Sequence, residues 1–367
     1  MFYFVLYVFS SSLCEFGIRC KQHFFKVLCC AVAVLVPAFF AGMRDYSIGV
    51  DRSVYGDSLF LDVAKSQDFF HLETRWENWI EKGYIYFNFI VAQISKNVEF
   101  FYFCLAAVIC SLVLIALICS GYRKYVGVGY AAFLFLFFQP SFNMMRQSLA
   151  AAIVLVAISF LFKEKIGFFF LICCLAYSMH HSAIIAIFFF VLYYLMKKET
   201  KPKMLFVYSL VIFVCMCGAN VLINIFFPFF NMEASRYTVY FEPSQTSMRS
   251  FNISGFCLAL LIALIAFYNW KGVFFQYEQK KSLMVLALAG VLFSQIGLFG
   301  GEYVSRIIVY FNWSLVLLFP ALVSVSKRKI IMIGLLLVYF VSFWFYYFIV
   351  KGFNQTYPYT SQILGIQ

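Results

Sequence analysis

The chain alternates long apolar runs with short polar breaks. Residues 26 to 42, 98 to 120, 204 to 217, 253 to 268 and 330 to 350 are nearly free of charge, and several approach the roughly 20 residues that cross the hydrocarbon of a bilayer. Such runs predict helices, because a backbone in lipid must satisfy its own hydrogen bonds. Threading the chain through its polar breaks predicts an all-α, polytopic transmembrane helical bundle of about 12 spans. They fall near residues 1 to 18, 26 to 42, 98 to 120, 125 to 139, 147 to 162, 166 to 180, 182 to 196, 204 to 218, 253 to 270, 282 to 298, 303 to 322 and 330 to 350. The run at 1 to 18 lacks a basic leader and an A-x-A site, so it is expected to be a retained helix. Segment 84 to 95, apolar but short, is expected to form an outward-facing interfacial or re-entrant helix. Residues 1 to 367 thus read as a single integral membrane domain, with an outer loop at 43–97 that carries the interfacial helix and a second outer loop at 219–252.

Composition reinforces the pattern. Hydrophobic residues make up 64% of the chain and charged residues 12%, against roughly 45–50% and roughly 25% in soluble domains. The basic residues fall between the apolar runs: Arg19, Lys21 and Lys26; Arg123 and Lys124; Lys163 and Lys165; Lys197, Lys198, Lys201 and Lys203; Lys271, Lys280 and Lys281; Lys327, Arg328 and Lys329. By the positive-inside rule these loops are cytoplasmic and both termini lie outside. The net charge of +12 is then a topology signal and gives no reason to invoke nucleic acid. None of the 12 cysteines lies in the polar segments 43 to 82, 219 to 252, 299 to 306 or 351 to 367. They read as small apolar helix residues, and Cys215 with Cys217 lacks CxxC spacing.

Ionisable groups near hydrocarbon are costly, so those at outer span ends carry weight. RDYSIGVD (44–51) places Arg44 at the end of the second span with Asp45 and Asp51 close behind, and Gly49 allows a turn that folds Asp51 back towards Arg44. A solvated helix end with a local ion pair is the plainer account. QPSFNMMRQS (139–148) is a polar hairpin in which Arg146 and Gln147 open a helix. A cation at a helix N-terminus opposes the dipole, so Arg146 is expected to have an anionic partner, unless it snorkels to headgroups. In SMHHSA (178–183), neighbouring imidazoles on a helix point about 100° apart. His180 and His181 therefore cannot both face one site, and either is a structural histidine or a proton acceptor. In GGEYVSRIIVYFN (300–312), Glu302 and Arg306 stand one turn apart, while Tyr303, Tyr310 and Asn312 offer hydrogen bonds suited to a sugar or to an interfacial anchor. Arginine forks drawn from distant parts of the chain to the outer level favour a phosphate-bearing lipid as ligand.

The chain has no GxxxxGK[ST], GxSxG or HExxH motif, which leaves ATP hydrolysis, serine-hydrolase and zincin chemistry without support. Asp45, Asp51 and Asp57 fit no defined metal pattern, so a metal-independent mechanism without cofactor is expected.

These elements resemble the EpsG family of polysaccharide-export membrane proteins, related in function to Wzy O-antigen polymerases. An R-x-x-S-[VI]-G-x-D element is matched by Arg44, Ser47, Ile48, Gly49 and Asp51. An F-N-x-x-R-Q-x-[LI]-A element is matched by Phe142, Asn143, Arg146, Gln147, Leu149 and Ala150. H-x-S-A-[IL] is matched by His180, Ser182, Ala183 and Ile184, and [SG]-R-[IL]-x-x-Y-F by Ser305, Arg306, Ile307, Tyr310 and Phe311. The closing PYTSQI (358–363) is similar to the family's tail. The family often has threonine after the aspartate, where Arg52 stands here.

The resemblance implies polymerisation of undecaprenyl-diphosphate-linked oligosaccharide repeats at the outer face of the bacterial cytoplasmic membrane. Arg44, Arg146 and Arg306 would hold the diphosphate. His180 or Asp51 would take the acceptor proton, with Arg146 at the reacting centre, and Asn143, Gln147, Glu302 and Tyr310 would contact glycan. Partners would be that lipid-linked oligosaccharide, membrane lipids and a chain-length regulator protein. Two rivals stay open: a polyprenyl-phosphate-sugar glycosyltransferase, which adds one sugar, and a lipid-linked glycan flippase, which needs a polar path through the midplane.

Overall fold

A computed structural model describes residues 1–66, 68, 76, 79–121, 123–197, 207, 257, 260–261, 264–265, 268 and 302–367. Expected spans 204 to 218 and 282 to 298, most of 253 to 270, and the loop 219–252 lie outside the described residues. Every other expected span coincides with helix. In chain order the α-helices among the described residues are α1 (Phe2–Arg19), α2 (His23–Met43), α3 (Asp57–Val63), α4 (Lys82–Ile94), α5 (Val98–Cys119), α6 (Val126–Phe133), α7 (Met145–Leu161), α8 (Ile166–Met179), α9 (Ala186–Lys197), α10 (Glu302–Trp313), α11 (Leu315–Val325) and α12 (Lys329–Trp344), of which α3, inside the outer loop, matches no expected element. Among the described residues there is no strand, only one isolated bridge between Ser361 and Ile366.

Among the described residues four helices are long and apolar enough to cross a membrane: His23–Met43, Val98–Cys119, Arg306–Val325 and Lys329–Val350. The others are shorter, Val126–Phe138, Met145–Leu161, Ile166–Met179 and His181–Leu195 among them. The apolar segment expected at 84 to 95 is α4, a helix of 13 residues.

The chain divides into two compact units, Met1–Ile184 with Phe319–Gln367, and Ile185–Leu318. In the first, α2 packs against α1 and α5, and α7 packs against α5 and α8. α7 is apolar on all sides and buried along nearly its whole length, as a helix without a polar face must be. The outer helices show the reverse: Phe24, Phe25 and Leu28 on α2, Phe168, Leu171 and Leu175 on α8, and Ile330, Ile331 and Val338 on α12 are exposed. Apolar surface that extensive suits hydrocarbon, not water. In the second unit, Phe189 of α9 meets Phe311 of α10 with ring centroids 5.9 Å apart.

The two ends of the first unit differ in charge. At one end the basic loops meet: Arg19 donates to the Lys124 carbonyl at 2.9 Å, and Lys329 Nζ sits 5.9 Å from the centre of the Tyr125 ring. At the other end the chain leaves α2 and α8 and enters α5 and α7, and the carboxylates and family elements gather there.

Candidate functional site at the polar end of the bundle

The loop after α2 is folded back on itself. Gly49 adopts φ +93°, and a Cβ there would lie 3.1 Å from Asn143 Oδ1 and from Phe142. The turn follows the expectation for this loop, but the group that reaches back to Arg44 is Arg52. Its Nη1 donates to the Arg44 carbonyl at 2.7 Å, while its other nitrogens meet Asp57 at 3.2 Å and Glu99 at 3.3 Å. Arg44 is 3% exposed. It donates to the carbonyls of Ile48, at 3.2 Å, and of Ala41, with its guanidinium between the rings of Tyr102 and Phe142, 4.4 and 4.5 Å from their centres. Burial pushes the Arg44 guanidinium down to about 10. The three aspartates go separate ways: Asp45 Oδ1 accepts from the Gln362 N–H at 2.7 Å, Asp51 from the Tyr55 hydroxyl at 2.9 Å, and Asp57 from Tyr102 at 2.6 Å.

The second half of the site forms where α4, α7 and α8 meet. Pro140 opens a 3-10 turn, Asn143 follows it, and α7 starts at Met145, which puts Arg146 in its first turn. The anionic partner is Glu81, whose Oε2 pairs with Arg146 Nη1. Glu81 occupies the cap position of α4, yet its side chain makes no cap hydrogen bond. It turns away from its own helix, and Oε1 accepts the His181 N–H at 3.3 Å. Burial raises the Glu81 pKa, but Arg146, His180 and backbone N–H donors outweigh it and hold the carboxyl below its ordinary value. Gly83 permits the close seat of α4 on α8, since a Cβ there would lie 2.5 Å from Ser178 Oγ and 2.6 Å from its carbonyl oxygen.

α8 ends at His180, which adopts an extended conformation. Its imidazole is buried, and Nδ1 accepts from the Ser182 N–H at 3.1 Å with the Ser182 hydroxyl at 2.9 Å. A neutral His180 accepting there carries its proton on Nε2. Glu81 Oε1 stands 3.9 Å from Nδ1. His181 turns elsewhere, its ring 4.8 Å from that of Tyr177. Tyr55 joins the two halves: it donates to Asp51, and its ring centre lies 5.1 Å from the Arg146 guanidinium.

The tail closes over this end. Asn143 Oδ1 accepts from the Val50 N–H at 2.6 Å while its Nδ2 donates to the Asn354 carbonyl at 2.8 Å. Gln139 donates to Thr356 Oγ1 at 3.0 Å and accepts from Trp344 Nε1 at 2.6 Å. The Asp45 N–H donates to the Thr360 carbonyl at 3.1 Å, and Ser361 Oγ to the Met43 carbonyl at 2.5 Å.

The structure thus brings Arg44, Asp51, Asn143, Arg146 and His180 to one end of the first unit. Gln147 is buried in α7. Arg306 and Tyr310 belong to α10 of the second unit, Tyr310 being 1% exposed. The Glu302 side chain, and with it the expected pair with Arg306, lies outside the described residues. Sequence reasoning missed Glu81. The signal available was an acid directly before the apolar segment 84 to 95, facing an arginine that required an anion.

An all-helical, multi-pass membrane protein with a buried polar cluster at one end is the class that fold and site define. The family model for the EpsG family matches residues 27–361, so the chain belongs to the EpsG family, a membership that points to a polysaccharide polymerase of surface glycan synthesis. Searches of curated proteins and of solved structures found no match.

Proposed function

We propose that the protein polymerises oligosaccharide repeats carried on polyprenyl diphosphate, undecaprenyl diphosphate in bacteria, at the outer face of the cytoplasmic membrane. The observation that carries this is the buried cluster of Arg146, Glu81 and His180 with Asp51 and Tyr55 beside it, at the end opposite the basic loops. By the positive-inside rule that end is the outer one, where the diphosphate of a lipid-linked glycan lies.

In this reading the bond between the growing glycan and its diphosphate breaks as a hydroxyl of the next lipid-linked repeat attacks. The hydroxyl proton passes to Asp51. Charge building on the leaving diphosphate meets the Arg146 guanidinium, fixed in place before the reaction begins, and fixed cations in a partly dry cleft stabilise such charge strongly. His180, with its proton on Nε2, serves as a donor to the same oxygens. Arg44, Arg52 and Asn143 shape the loop that presents Asp51. Arg306, the cation of the [SG]-R element, is assigned to the diphosphate by the resemblance alone, and its loss is read in the same assay.

The test is a purified, reconstituted protein given lipid-linked repeats. Wild type extends them into ladders, and Arg146→Ala and Asp51→Asn stop at single repeats. Full-length ladders at normal rates from Arg146→Ala would overturn the assignment. In a deletion strain single repeats appear outside the cell, whereas loss of a flippase would strand them inside.

A further inference from the structure

Resting on that reading, we propose that Glu81 is a positioning residue of the transfer site, a carboxylate that fixes Arg146 with one oxygen and favours the charged form of His180 with the other. A helix-cap acid ordinarily spends its side chain on the first N–H groups of its own helix. Glu81 does not, and at 7% exposure it is withdrawn from water as well. Its two oxygens are divided between two other helices, Oε2 to Arg146 on α7 and Oε1 to the turn that ends α8.

The charges around it leave Glu81 as the acid for this task. On the other elements packed against α4, Asp57 and Glu99 are engaged by Arg52, and Asp51 accepts from Tyr55. Lys82, its neighbour in sequence, is exposed. Neutral His180 accepts from Ser182 at Nδ1, so a second proton enters at Nδ1, where Glu81 Oε1 is 3.9 Å away. An opposite charge at that distance favours the imidazolium. Glu81 thereby ties the protonation of His180 to the position of Arg146: one carboxylate balances whichever of the two cations the bound diphosphate leaves uncompensated.

The experiment uses the full chain in proteoliposomes with ring-15N histidine, whose four residues are assigned by substitution. Glu81→Gln keeps the size and the acceptor for the His181 N–H but removes the charge. The expected result is a His180 titration moved to lower pH, with the rate of ladder growth down about tenfold or more, the scale of a misplaced acid–base or charge-stabilising group. Glu81→Asp, which keeps the charge on a shorter arm, recovers part of both, and it carries the same measurement should the glutamine variant fail to fold. A His180 titration unmoved in a folded Glu81→Gln protein overturns the inference. Wild type that makes no ladder overturns the function reading instead, and the titration still decides the role of Glu81.

Discussion

Glu81 and Arg146, 65 residues apart in the chain, close an ion pair with their side chains 7% and 17% exposed. The cation sits in the first turn of α7, where the helix dipole disfavours it, so the carboxylate offsets an unfavourable placement as well as its own burial. Removing one partner from such a pair costs about 3–5 kcal/mol, whereas replacing both by apolar groups is often near neutral. Arg146→Met should therefore lower the thermal midpoint in detergent strongly, and Glu81→Met with Arg146→Met should recover most of it. Additive losses in the double variant would show that the pair is not coupled.

The same pair makes the fold acid-sensitive in a defined direction. The Glu81 carboxyl is held below its ordinary value in the folded chain, so its contribution is complete above the unfolded value of about 4.3. It is lost as pH falls through the lower folded value. Midpoints measured across that window should fall more steeply for wild type than for Glu81→Gln. Parallel profiles would place the acid sensitivity elsewhere.

Arg52 stands where the family often has threonine, and its three contacts give the departure a physical role. Asp57 and Glu99 on α3 and α5, and the Arg44 carbonyl at the end of α2, all converge on one guanidinium. Arg52→Thr takes the cation from two partly buried carboxylates, of which Asp57 keeps the Tyr102 hydroxyl, at a cost of about 1–3 kcal/mol. Arg52→Lys should recover only a fraction, because an ammonium is a single point and cannot reproduce the planar fork. Calorimetric or fluorescence melts decide it; a lysine variant as stable as wild type would show that charge alone suffices.

Most helices were readable from the sequence because they are apolar runs broken by charge; α3, seven residues with two aspartates inside the outer loop, was not, and the run 303 to 322 hid the break between α10 and α11. The need of Arg146 for an anion was also readable, since it followed from the helix dipole alone. The identity of that anion was not. Glu81 sits in a segment whose polarity suggests solvent, and only the seating of α4 on α8 at Gly83 withdraws it. Arg44 likewise reads as an open cation in the sequence, whereas in the fold two of its nitrogens are taken by the carbonyls of Ala41 and Ile48. The tail hides its role for a simpler reason: Gln362 and Asp45 are 317 residues apart, and no local pattern records a contact at that separation.

Asn143 holds the Asp51 loop and the tail together through the two ends of one amide. Asn143→Ala removes both hydrogen bonds, one exposed and one partly buried, for about 0.5–1.5 kcal/mol each. Gly49→Ala attacks the same junction from the loop side, since a side chain at φ +93° costs about 1–2 kcal/mol before the contact with Asn143 is counted. Both variants should release residues 351 to 367 to limited proteolysis while the core helices stay protected. A tail that remains resistant in both would show that Gln139, Thr356 and Ser361 hold it without Asn143.

Tyr84 lies one turn along α4 from Glu81 and is fully buried, yet its hydroxyl makes no hydrogen bond of good geometry among the described residues, only a weak interaction with the Asn88 side chain one turn further on. Its ring stacks near Phe87 and meets Phe101 edge-on, so packing explains the aromatic body and leaves the oxygen unexplained. An orphaned buried hydroxyl costs about 1–3 kcal/mol, and Tyr84→Phe removes that cost without opening a cavity. Stability should rise by about 1 kcal/mol. If the hydroxyl is kept for the substrate, in a site where Arg146 and Asp51 already act on the phenol, ladder growth should fall in the same variant. Melts and the polymerisation assay run side by side separate the two effects: a stabilised variant with an undiminished rate would exclude the hydroxyl from the transfer site, and a destabilised one would mean that it has a partner after all.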